Sequence, residues 1–78
     1  MTIKMIETLM NIAIAERSKA QMNLNIYLSN GAAIGEHPDV VDEANKLVAA
    51  VAEADGKIEV LNNLVKELQS LEEAKPKK

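Results

Sequence analysis

The chain has 78 residues, 47% of them hydrophobic, and a net charge of -3. That size allows one small domain, and that apolar content is too high for a disordered chain. Tyr27 is the single aromatic and cysteine is absent. The core must therefore come from Leu, Ile, Val, Met and Ala, with no disulfide to brace it. The charge is uneven. Residues 1–35 carry Lys4, Arg17 and Lys19 against Glu7 and Glu16, whereas residues 36–74 carry ten acids and three bases. An acidic second half argues against a nucleic-acid surface there.

The first segment, residues 2–30, reads as a helix with Thr2 as N-cap. Ile3, Ile6, Met10, Ala13, Ala20, Leu24 and Tyr27 recur in steps of three and four or their multiples, and Arg17 interrupts the stripe. An arginine there can lay its stem along an apolar seam and keep its head in water. A second apolar set, Met5, Leu9, Ile12, Met22 and Ile26, lies off that stripe, so the segment needs neighbours on two sides. Residues 20–28 also alternate apolar and polar, which is a strand signal, and Asn30-Gly31 comes next like a hairpin turn. The residues after it, 32–35, are too few to return as a strand. Helix is the stronger reading, with Gly31 stopping it in the C′ position.

The connector, residues 31–37, ends at Pro38, a residue suited to the first helical position. Asp39, Asp42 and Glu43 crowd the first turns of the second segment, where negative charge complements the helix dipole. This second helix is expected over residues 38–74. From Val40 the apolar residues Ala44, Leu47, Val51, Ala54, Ile58, Leu61, Val65 and Leu68 recur in alternating steps of four and three. That phase fits a partner helix packed alongside. It passes through Asp55-Gly56 without resetting, so one continuous helix is expected despite the cost of about 1 kcal/mol for a helical glycine. At 1.5 Å per residue the second helix is about 55 Å long and the first about 40 Å. The excess is expected to overhang, carrying Leu64, Leu68 and Leu71. Pro76 ends the structure, and residues 75–78 form a basic tail.

Few residues suggest chemistry. His37 is the only histidine and has no Ser, Cys or second His arranged with it, so a loop position explains it. Glu53, Asp55, Gly56 and Ile58 echo a calcium loop, but that register puts Val51 and Asn62 where carboxylates are required. Asp39, Asp42 and Glu43 serve the dipole and solubility. Met1, Met5, Met10 and Met22 are adaptable core fillers that also suit a surface for varied helices. Asn23, Asn25, Asn62 and Asn63 near the seams are candidates for fixing register between chains. The lysines of the tail lack interleaved aromatics for stacking bases. No nucleophile elbow, phosphate loop, zinc motif or carboxylate pair is present, so neither an enzyme nor a cofactor or metal site is expected.

These features predict an all-α antiparallel two-helix hairpin with a long second helix, assembling as a dimeric or higher helical bundle because one small chain cannot cover both apolar faces. The expected function is structural or adaptor, through helix–helix self-association. The residues expected at the oligomer or partner seam are Leu47, Val51, Ile58, Leu61, Val65 and Leu68, with Ile6, Met10 and Leu24 opposite. The alternative is a small acidic regulator or inhibitor that meets a larger protein through Asp39, Asp42, Glu43, Glu53 and Glu59. With no signal peptide and no long apolar span, a cytoplasmic protein without membrane contact is expected.

Overall fold

The computed structural model describes residues 3–29 and 39–74. Two helices make up the described fold, α1 (Ile3–Ser29) and α2 (Val40–Ala74), packed side by side as an antiparallel hairpin. Both helices fall within the residue ranges expected for them. Thr2, the Asn30-Gly31 pair, His37, Pro38 and the lysine tail lie outside the described residues. The radius of gyration is 18.4 Å, against about 12 Å for a globular chain of this length. The molecule is a rod, and almost every residue of a two-helix rod has one side in solvent.

Helix α1 runs unbroken through residues 20–28, and no strand occurs among the described residues. The three-and-four step prevails over the alternation because α2 is there to receive it. Ala20, Leu24 and Tyr27 turn inward while Met22, Ile26 and Leu28 stay exposed. At the start of α2 the Glu43 amide donates to the Asp39 carbonyl at 2.9 Å, so Asp39 already takes part in helical hydrogen bonding. Asp42 and Glu43 occupy the first turn, where the dipole favours them. Helix α2 continues through Gly56, which has no positive φ.

The seam is thin. The buried residues among those described are Ile6, Ala13, Ala20, Ala54 and Leu61, and three of those five are alanines. Small side chains let the two backbones approach closely, and each covers little area. Bulk is gathered toward the end of the hairpin away from the connector. There Ile6, 1% exposed, sits with Leu61 among the half-buried Met10, Ile58, Leu64, Val65 and Leu68.

The expected overhang is shorter than the length difference implies. Leu64 and Leu68 pack on the Ile6 cluster, and only Leu71, 62% exposed, lies clear of it. Ile3 and Gln69 line one crevice, so α1 reaches as far as Gln69. The extra residues of α2 are divided between its two ends.

Candidate functional site

The two apolar stripes face each other. Val40, Ala44, Leu47, Val51, Ala54, Ile58, Leu61, Val65 and Leu68 are all buried or half-buried, as are Ile6, Met10, Ala13, Ala20, Leu24 and Tyr27. Ile3, the first member of the α1 stripe, is exposed. The nine residues expected at an oligomer seam thus lie at the contact between α1 and α2 of a single chain.

Arg17 takes the position expected of it and gains a partner that the pattern did not signal. It is half-buried in the seam, and its Nε donates to Asp55 Oδ1 on α2. One residue earlier, Glu16 Oε1 accepts from Lys57 Nζ at 3.1 Å, and Glu53 lies 3.8 Å from the same ammonium. These two ion pairs bridge the helices at mid-length. All four side chains are between 42% and 51% exposed, so solvent screens the attraction. Their main effect is on alignment: they oppose sliding along a smooth, alanine-rich contact. The Glu16 carboxylate accepts a hydrogen bond from the Lys57 ammonium and attracts its charge, and with Glu53 it holds the Lys57 pKa above 10.5.

Most of the asparagines considered for fixing register between chains lie on the outer surface of the hairpin. Asn25 is exposed and accepts from Gln21 Nε2 of its own helix at 3.0 Å, and Asn62 and Asn63 are exposed. Asn23 is half-buried. Asp39, Asp42, Glu43 and Glu53 fall within roughly 100° of one another around the axis of α2, and Glu59 lies off that arc. Glu43 pairs with Lys46 at 3.2 Å and Glu53 lies beside Lys57, while Glu59 lies roughly 120° around the helix from Glu53. No group of three or more His, Cys, Asp or Glu side chains among the described residues is placed to hold a metal ion.

The remaining feature is the surface off the seam. Met5, Leu9, Ile12, Met22 and Ile26, the second apolar set, are all exposed. Leu9 and Ile12 of α1 and Val60 of α2 line a groove of about 550 Å³ along one side of the hairpin. Ala13 and Leu61 reach its floor, Gly56 forms part of its wall, and the Glu16–Lys57 pair closes one end. The groove is open and mainly apolar, and its charged lining residues, Glu16 and Lys57, are paired with each other.

Comparison with known proteins gave no match to a family model, a curated sequence or a solved structure. No helix among the described residues is long and apolar enough to cross a membrane.

Proposed function

We propose that this chain is a non-enzymatic structural or adaptor protein of the cytoplasm that works by helix–helix self-association. One observation carries the reading: among the described residues, twelve large apolar side chains are exposed on a rod whose seam buries only five residues. Water makes such a surface unfavourable at about 25 cal/mol per Å². A chain with no disulfide is left with association as its means of covering it. Bundling of hairpins in the manner of a coiled coil supplies that cover.

Sedimentation equilibrium from one to one hundred micromolar, with circular dichroism on the same samples, tests it. The expected result is a helical species of at least twice the chain mass whose melting temperature rises with concentration. A folded, helical monomer throughout the range overturns it. The acidic-regulator alternative makes the opposite prediction: a monomer that retains a single stoichiometric partner from lysate and releases it at high salt.

A further inference from the structure

We propose that a second copy of this chain seats in the Leu9–Ile12–Val60 groove, antiparallel to the first, about a two-fold axis that crosses the rod between Val60 and Leu64. The inference rests on the self-association reading and names the surface and the arrangement. Area is the first argument. The chain exposes 6240 Å², whereas a compact monomer of its 8.5 kDa mass exposes roughly 4,700 Å². The excess, roughly 1,500 Å², is larger than the roughly 800 Å² that each partner contributes to a stable interface of ordinary size. A partner as long as the rod itself is needed to use it, and another hairpin has that length.

The second argument is that the strip complements itself. A two-fold interface sets each residue against its own mirror position, so the surface must match when reversed. On α2 the strip reads Lys57, Val60, Leu64, Glu67, each three or four residues from the next and therefore on one side of the helix. Reversed about its midpoint, Val60 meets Leu64, and Lys57 meets the oppositely charged Glu67. On α1 the strip reads Met5, Leu9, Ile12, Glu16. Reversed, Leu9 meets Ile12, and Met5 meets the aliphatic stem of Glu16. The two midpoints lie level with one another, because Glu16 bridges to Lys57 on one side of them and Ile3 reaches Gln69 on the other. One axis therefore satisfies both helices. The opposite side of the hairpin, where Ile14 and Val48 are exposed, lacks this match: its α2 strip reads Val48, Ala52, Asp55, Glu59, with two acids and no base to meet them on reversal.

The test uses the absence of native cysteine, which makes a single introduced thiol report its own location. Val60→Cys and Val48→Cys are both exposed positions on α2, roughly 120° apart around the helix, so neither disturbs the seam. With a short bismaleimide at ten micromolar protein, Val60→Cys is expected to give a covalent dimer and Val48→Cys to remain single-chain. A charge-reversal cycle then reads the register. Residues 57 and 67 are about 15 Å apart along one helix, too far to couple within a chain. Lys57→Glu and Glu67→Lys are each expected to weaken dimerisation at least threefold, and the double reversal to recover most of that loss. Cross-linking through Val48→Cys, or equally through both positions, overturns the assigned face and leaves self-association standing, as does an additive charge cycle. Single-chain mass at every concentration, with no cross-link from either variant, overturns both.

Discussion

Gly56 lies in the middle of α2, and the structure gives no local reason for a glycine there. Its backbone is helical, without positive φ, and a Cβ built on it meets no heavy atom within 4 Å. Gly56→Ala therefore adds a methyl group without a clash and removes the entropy that a flexible glycine gives the unfolded chain. Helix propensity puts the gain at about 1 kcal/mol. In a domain of this size that corresponds to a rise in melting temperature of about 4–8 °C. Thermal and urea unfolding monitored at 222 nm, with parent and variant at the same concentration, reads both quantities. Equal concentration matters because mass action shifts the midpoint of an associating protein. A lower melting temperature would refute the reasoning. It would mean that the helix breaks at Gly56 or that another backbone presses against its open side.

The seam and its ion pairs lead to three further outcomes. Leu61→Asp puts a carboxylate into the buried cluster, and with no partner there to compensate it the expected result is loss of helicity and of any assembly. Unchanged circular dichroism and sedimentation would remove Leu61 from the seam. Ile6→Ala empties the largest buried position, and on the scale of buried aliphatic truncations it is expected to cost about 2–5 kcal/mol; a shift in the urea midpoint within error would refute it. Lys57 has a folded pKa raised by Glu16, so its contribution is complete below the unfolded value near 10.5 and is lost as pH rises through the folded value. The stability difference between the parent and Lys57→Gln should therefore be flat from pH 7 to 9 and shrink above about pH 10.5. A difference that shrinks below pH 9 would refute the assignment.

The hairpin was legible because both stripes keep helical period over long runs. Val40 through Leu68 held one phase across Gly56, and the helix is continuous there. Arg17 was legible as a tolerated intruder, but its partner was not. Asp55 has the sequence context of any solvated acid, and only the antiparallel register brings it beside Arg17. The same register determines how far α2 extends past α1. A periodic pattern fixes which face is apolar but leaves the axial offset open, so Leu64 and Leu68 read as overhang although they pack against the Ile6 cluster. Periodicity likewise could not say whether the stripe of α2 meets its own chain or another. The groove on the flank needs both helices at once: Leu9 and Ile12 belong to one element, and Gly56 and Val60 to the other.

The alanines at the waist, Ala13, Ala20 and Ala54, have a mechanical consequence. Two stiff rods that touch through small residues at their centre cannot yield locally to a larger side chain. A leucine at Ala13 or Ala54 would act as a wedge at a fulcrum, levering apart contacts several turns away at the Ile6 end. Substitutions should thus be tolerated least where the buried side chains are smallest.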